Sequence, residues 1–247
     1  MQRFFIPQSA GYQIDQRLVF PDETAHQLRA VLRKAVGDQV WVLDNVGGLY
    51  EVVLTAVSRA QITGKILTKQ PAGGEPQVKL TLFQSLTKRD KFEWVLQKGT
   101  ELGVHCFVPV VTQRTLVQDV QIKPGKLQRW QKIVTEGAEQ SRRGCVPVVA
   151  SALQFAAAFP QAAAFDLSLI AWEGEQKVNL PTILGHKPAP QTVALFIGPE
   201  GGFTEEEVEN GRYHGLIPFT LGDRILRTET AAIVASALIL HELGELG

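Results

Sequence analysis

The run Thr192-Val193-Ala194-Leu195-Phe196-Ile197 stops on Gly198-Pro199-Glu200-Gly201-Gly202. A nearly continuous apolar stretch with no apolar–polar alternation describes a strand covered on both faces, the environment of a parallel sheet flanked by helices. Leu167–Trp172 has the same character, and Val78–Phe83 and Val104–Val111 supply further strands. Between them the period changes. Asp90–Leu102 places Phe92, Val95, Leu96 and Leu102 on one helical side, with Gly103 as its stop. Lys126–Arg143 carries Leu127, Trp130, Ile133 and Val134 in the same way, and the Ala156–Ala164 stretch predicts a helix interrupted at Pro160. Strands alternating with helices predict an α/β domain built on a parallel sheet.

The residues before this region read differently. Val40–Leu43 and Tyr50–Leu54 flank Gly47-Gly48 as a hairpin, and Ile62–Leu67 adds a strand. Between Asp22 and Lys34 a short helix is predicted, with Ala25, Leu28, Leu32 and Val31 inward and Arg29, Arg33 and Lys34 opposite. Short strands around one helix suggest a small barrel. Pro71-Ala72-Gly73-Gly74-Glu75-Pro76 is the best linker in the chain, so domains are expected over 1–72 and 76–247.

Two glycine-anchored loops carry the chemistry. One is Gly198–Gly202; the other is Leu221-Gly222-Asp223-Arg224-Ile225-Leu226-Arg227-Thr228-Glu229-Thr230-Ala231, which opens the last helix. A strand that ends in a glycine turn and feeds a helix is where open α/β sheets place ligands, and two such loops suggest one composite pocket. Thr204 and Glu207 have capping-box spacing, and Glu205, Glu206, Glu207 and Glu209 fill the first turns of the helix they start. Carboxylates there repel a phosphate from a helix end otherwise suited to anions. Neither a P-loop nor a dinucleotide fingerprint is present. ATP, GTP and NAD are therefore poor candidates, and a phosphate-free cofactor with positive charge, S-adenosylmethionine, fits better. A plain, well-capped strand–turn–helix connection is the other reading of the same residues.

Charge is unevenly spread behind a net value of zero. Residues 1–75 sum to +1 (8 basic, 7 acidic), 76–147 to +6 (12 and 6), and 148–247 to −7 (5 and 12). That asymmetry points to a polyanionic partner for the middle of the chain. The only cysteines, Cys106 and Cys145, lack ligand spacing and read as free thiols of a reducing compartment. No His, Cys or carboxylate cluster has metal spacing, so no metal is expected. The opening Met1–Pro7 lacks the apolar core of a secretory signal, and Ala231–Leu240 is far short of a membrane span. A cytoplasmic protein without a membrane partner is expected.

At Gly198–Gly202 and Leu221–Ala231 the chain resembles the SPOUT methyltransferase superfamily, and within it the family of ribosomal RNA small-subunit methyltransferase E. Arg3–Pro7, His26–Arg33, Gln97–Val104 and Glu139–Arg143 carry the same likeness, so it covers essentially the whole chain. The resemblance implies a trefoil-knotted α/β methyltransferase domain preceded by a PUA-like RNA-binding β-barrel. It implies a homodimer with its active site near the subunit interface. It also implies methyl transfer from S-adenosylmethionine to N3 of a uridine in 16S rRNA of the small ribosomal subunit. Asp223 stands where the family commonly has proline. A related methyltransferase acting on another RNA, and a non-catalytic RNA-binding assembly factor, are the alternatives.

On that resemblance Arg227 is the candidate catalytic residue, a cation beside the base that favours the uridine anion. Its competing role is a salt bridge to Glu229 or Glu200. Trp172, Glu173, Ile197, Gly198, Pro199, Gly202, Leu221, Gly222, Ile225, Leu226 and Ala231 are candidate cofactor contacts. Glu200 is expected to hold its loop by accepting backbone N–H bonds, with an interaction with substrate or sulfonium as its other reading, and Thr228 and Thr230 to cap the last helix. Arg142 and Arg143 are expected on phosphate, with Lys88, Arg89 and Lys91 as a second basic group and Arg29 and Arg33, one helical turn apart, as a third.

Overall fold

The computed structural model describes residues 2–8, 11–185 and 188–246. It divides into two compact units, Met1–Glu75 with Ala138–Val146, and Pro76–Gly137 with Pro147–Gly247. This departs from a division at 1–72 and 76–247, because a later segment packs into the first unit. Ala138 is fully buried in a cluster with Phe5, Leu43 and Leu49. The Val146 N–H donates to Asn45 Oδ1 at 2.7 Å.

The first unit is one five-stranded sheet in the order β1-β3-β4-β5-β2. Its strands are β1 (Arg3–Phe5), β2 (Arg17–Val19), β3 (Gln39–Leu43), β4 (Gly48–Val57) and β5 (Ile62–Pro71). Among the described residues of this sheet only β1 and β3 pair in parallel. Two register shifts bend β4 against β5. Phe4, Leu18, Val42, Val52, Ile62 and Ile66, from all five strands, meet in a single core, so the sheet curls around it. The predicted helix is shorter than its pattern. α1 (Asp22–His26) passes into a π-helical turn over Gln27–Val31, where the Leu32 N–H donates to the Gln27 carbonyl. The wider turn rotates Val31 outward, to 67% exposure, while Leu28 is fully buried. Arg33 follows with a φ of 51° and does not continue the helix.

The second unit is a sheet in the order β12-β10-β11-β6-β7-β8, with β9 also paired to β7. Its strands are β6 (Lys79–Ser85), β7 (Cys106–Val111), β8 (Val148–Val149), β9 (Leu153–Gln154), β10 (Leu167–Ala171), β11 (Thr192–Ile197) and β12 (Ile217–Phe219). Every pair is parallel. The helices are α2 (Arg89–Leu102), α3 (Pro124–Gln140), α4 (Phe159–Ala162), α5 (Leu180–Leu184), α6 (Glu205–Tyr213) and α7 (Thr228–Glu242). Gly103 ends α2 with a φ of 111°, as its pattern required. The Ala-rich stretch differs from expectation: a 3-10 turn over Phe155–Ala158 precedes α4, and Pro160 lies in the first turn of α4 rather than interrupting it. There its missing N–H leaves no bond unmade. Phe83 of β6 stacks on Phe196 of β11 at 4.3 Å in the middle of the core. α7 covers β6 and β11 and packs along α2.

Cys106, half-buried at the start of β7, has its thiol pushed up to about 11 by burial. At pH 8 its thiolate fraction is then about a hundredfold below that of an ordinary exposed cysteine. Iodoacetamide labelling followed by peptide mass spectrometry should find Cys106 slower by that order in the native protein, and accelerated when the protein is denatured in urea.

Candidate active site

Because the strands of the second unit are parallel, their carboxyl ends share one edge of the sheet. From β6 the chain first builds β7 on one side and later places β11 on the other, the switch in direction at which open sheets hold ligands. Beyond β10, β11 and β12 come three loops, Trp172–Glu175, Gly198–Phe203 and Thr220–Arg227. Together they line a hollow with two adjoining lobes. One, about 490 Å³, is lined by Trp172, Glu173, Leu221, Gly222, Ile225 and Leu226. The other, about 320 Å³, takes Ile197, Gly198, Pro199, Gly202, Glu200 and Arg227. Ala171, Glu173, Ile225, Leu226 and Ala231 belong to both. The structure therefore brings together Arg227 and all the residues expected to contact a cofactor.

Each loop is braced by identifiable bonds. In the first, the Gly202 N–H donates to the Pro199 carbonyl at 3.0 Å, and Gly202 has a φ of 68°. A Cβ at that position would sit on the Glu173 carboxylate, so the close approach of the two loops requires glycine. The capping box forms as its spacing predicts: Glu207 N–H donates to Thr204 Oγ1 at 3.2 Å and Thr204 N–H to Glu207 Oε2 at 2.9 Å. Arg114 donates to the Gly201 carbonyl at 2.7 Å. In the Trp172 loop, Glu175 accepts backbone N–H bonds from Gln176, Lys177 and Val178 and a bond from Arg212. The bonds from Lys177 and Val178 contribute most to holding its carboxyl below the usual range.

Thr228 corrects an expectation. Neither it nor Thr230 caps α7, whose N-cap is Arg227 with no side-chain bond. Thr228 is buried, and its Oγ1 donates to the Gly198 carbonyl at 2.6 Å while accepting from Gln84 Nε2 at 3.0 Å. One hydroxyl thus ties the end of β6, the first cofactor loop and the start of α7. Thr228→Val keeps the shape and removes both bonds; with the Gly198 carbonyl losing its hydroxyl donor and Gln84 Nε2 left with only the Ser85 carbonyl, ligand affinity at the hollow is expected to fall about tenfold, read by calorimetry.

The charges at the rim also differ from expectation. Glu200 and Glu229 pair not with Arg227 but with Lys91, whose Nζ is 3.5 Å from Glu200 Oε1 and 3.4 Å from Glu229 Oε2. Arg227 is exposed, and its guanidinium makes no ion pair or hydrogen bond among the described residues. Lys91, expected on phosphate with Lys88, instead lines the hollow. Nor does Glu200 hold its loop: its carboxylate accepts no hydrogen bond among the described residues, and Arg114 and the Gly202 turn do that work. Sequence reasoning missed Lys91, Arg114 and Gln84 as parts of the site. The available signal was position alone, since each lies at the carboxyl end of β6 or β7 or in the first turn after it.

The lining fits S-adenosylmethionine. Ile197, Leu221 and Leu226 supply apolar surface suited to adenine, Ile225 lines the same hollow at 88% exposure, and Gly198, Gly202 and Gly222 leave backbone groups within reach of a ligand. Among lining side chains, the acids Glu173, Glu175, Glu200 and Asp223 outweigh Lys91, Arg224 and Arg227, which suits a sulfonium and disfavours a polyphosphate.

The expected RNA contacts separate. Lys88 is exposed just ahead of α2, and Arg142 is exposed with a φ of 63°. Arg3 donates to the Arg142 carbonyl at 2.9 Å, bringing one more cation beside it. Arg33 is exposed; Arg29 is half-buried and donates to the Ser58 carbonyl at 2.7 Å. The side chain of Arg89 lies outside the described residues. Arg143 contradicts its assignment. Its side chain is 2% exposed and pairs bidentately with Glu75, at 2.7 Å and 3.1 Å, so it has no face to offer a phosphate.

Comparison with known proteins shows the family of the chain. A family model described as an RNA methyltransferase domain matches residues 74–240, and one described as an RNA methyltransferase PUA domain matches 20–67. The ribosomal RNA small subunit methyltransferase E of Bacillus subtilis is 34% identical over 98% of this chain and 97% of its own. That of Synechocystis is 37% identical over 87% of this chain and 69% of its own. The crystal structure of the Neisseria gonorrhoeae ribosomal RNA small subunit methyltransferase E bound to S-adenosyl methionine superimposes with a TM-score of 0.88 at 30% identity, covering 98% of this chain and 97% of that one. With both parts of the chain matched and relatives above 30% identity along nearly its full length, this protein belongs to the ribosomal RNA small subunit methyltransferase E family.

Proposed function

We propose that this protein transfers the methyl group of S-adenosylmethionine to N3 of a uridine in 16S rRNA, acting in the cytoplasm as a homodimer on the small ribosomal subunit. The observation that carries the reading is the hollow at the carboxyl edge of the sheet, apolar and acidic, with an uncommitted arginine at its rim. When bound, the cofactor supplies an electrophilic methyl group on a sulfonium. The chain supplies the rest. Ile197, Leu221, Ile225 and Leu226 hold the adenine and keep water off it, while Glu173 lies near the positive end. Arg227 places its charge where the uracil ring becomes anionic as N3 loses its proton, so catalysis is orientation and electrostatics. Lys88, Arg89 and Arg142, with Arg29 and Arg33, take phosphates. A base paired in a helix hides its N3, so the target uridine is read in an unpaired or extruded state.

The test incubates purified protein and labelled S-adenosylmethionine with small subunits from cells lacking the modification, then locates methyl groups by digestion and mass spectrometry. N3-methyluridine at one 16S rRNA position is expected. Cofactor binding with transfer only to another RNA would change the substrate. Neither binding nor transfer would leave an RNA-binding protein.

A further inference from the structure

Glu200 occupies a conspicuous place for a residue with no structural duty. It lines the same lobe as Arg227, on the turn that directly follows β11, with its side chain 30% exposed. The turn beneath it is held without its help, by the Gly202–Pro199 bond, by Arg114 on the Gly201 carbonyl and by Thr228 on the Gly198 carbonyl. Its contact with Lys91, at 3.5 Å, is too long for a strong charge-assisted hydrogen bond, and Lys91 is shared with Glu229. A part-exposed pair of that kind contributes little to stability. The Glu200 carboxylate therefore lines the hollow with one long ion pair, to Lys91, and accepts no hydrogen bond among the described residues.

The proposed reaction has the complementary need. Uridine N3 carries a proton that must leave for the methyl group to arrive, and Arg227, permanently protonated, cannot take it. We propose that the Glu200 carboxylate is the acceptor of the uridine N3 proton. This rests on the methyltransferase reading of the site. In the step, the N3–C bond forms as the methyl–sulfur bond breaks; the sulfonium becomes a neutral thioether, and the N3 proton moves to a Glu200 oxygen. A free carboxylate is a weak base towards uridine. Cations beside the uracil oxygens make the N3–H more acidic, however, so the proton passes to Glu200 as the methyl group arrives. Lys91 and Arg227 stabilise the charge on the uracil oxygens meanwhile, and Lys91 retains Glu229 as its counter-ion when Glu200 becomes neutral.

The experiment measures single-turnover methylation of small subunits, with cofactor affinity measured separately, for wild type, Glu200→Gln and Glu200→Asp. Glu200→Gln is expected to slow transfer at saturating cofactor by roughly a hundredfold or more, leaving the cofactor Kd within about twofold, with Glu200→Asp intermediate. The decisive arm uses subunits carrying 5-fluorouridine, whose N3–H is more acidic. There the Glu200→Gln defect should shrink, and the acid limb of the wild-type pH–rate profile should be missing in the variant. An undiminished defect on 5-fluorouridine, an acid limb that survives in Glu200→Gln, or a loss confined to cofactor affinity would overturn the assignment. Failure of the wild type to methylate any subunit would instead remove the proposed function on which it rests.

Discussion

Arg227→Ala is expected to lower the rate of methyl transfer by about 10²–10³-fold while leaving cofactor affinity within a factor of a few. The guanidinium spends nothing on structure. It is exposed, its side chain makes no cap bond, and the two carboxylates expected to pair with it, Glu200 and Glu229, pair with Lys91. Its truncation therefore removes a charge from the rim without opening a cavity or stranding a partner, and thermal stability should not move. Arg227→Lys keeps the charge but not the planar fork, so it should recover only part of the rate. The check is single-turnover transfer to small subunits alongside calorimetric binding of S-adenosylmethionine. A variant that binds cofactor normally and transfers at the wild-type rate would remove Arg227 from the chemistry; one that no longer binds would place it on the cofactor rather than the base.

The largest effect on stability is expected at Glu75, in the stretch read from sequence as a linker. Its Oε1 accepts from Arg143 Nε at 3.1 Å and from the Gly144 and Cys145 N–H groups at 3.0 Å and 3.1 Å, while Oε2 accepts from Arg143 Nη2 at 2.7 Å. Glu75→Ala leaves the Arg143 guanidinium buried without its carboxylate and two backbone donors without an acceptor, a cost of about 3–5 kcal/mol. Arg143→Met should cost much less. The apolar side chain suits the buried position, and Glu75, 28% exposed, keeps both backbone bonds and access to water. Urea unfolding of the two variants measures this asymmetry; equal losses would mean that the pair is not what holds Gly144 and Cys145 in place. The same Arg143→Met protein should retain its affinity for 16S rRNA fragments, whereas Arg142→Ala should weaken it and flatten its salt dependence.

Where the sequence succeeded, a local physical rule was enough. Thr192–Ile197 is a strand end to end, because a segment buried on both faces needs no partner information to be recognised. The Thr204–Glu207 box and the Gly103 stop formed as their spacing required, since both depend on bonds within one turn. The composite pocket was legible for a similar reason: two glycine turns after strands of one parallel sheet open on the same edge, here with β10 between β11 and β12. The failures are of another kind. Thr228 has the sequence position of a cap and the tertiary role of a tie, because Gln84, 144 residues away, offers it a better partner. Arg142 and Arg143 are adjacent and chemically identical, yet one faces solvent and the other is buried on Glu75.

The sequence by itself determined the longer strands and helices, though not the short β1, β2, β8, β9, β12 or α5, and that the main domain is a parallel α/β sheet with glycine loops after its strands. Periodicity, capping and turn chemistry act over a few residues and are written in the chain. Only the tertiary structure decided how charges are paired: that Lys91 is shared between Glu200 and Glu229 and Arg227 is left uncommitted, and that Ala138–Val146 belongs to the first unit. Charge pairing depends on distances of a few ångströms between residues far apart in the chain, and those distances exist only after packing has fixed them.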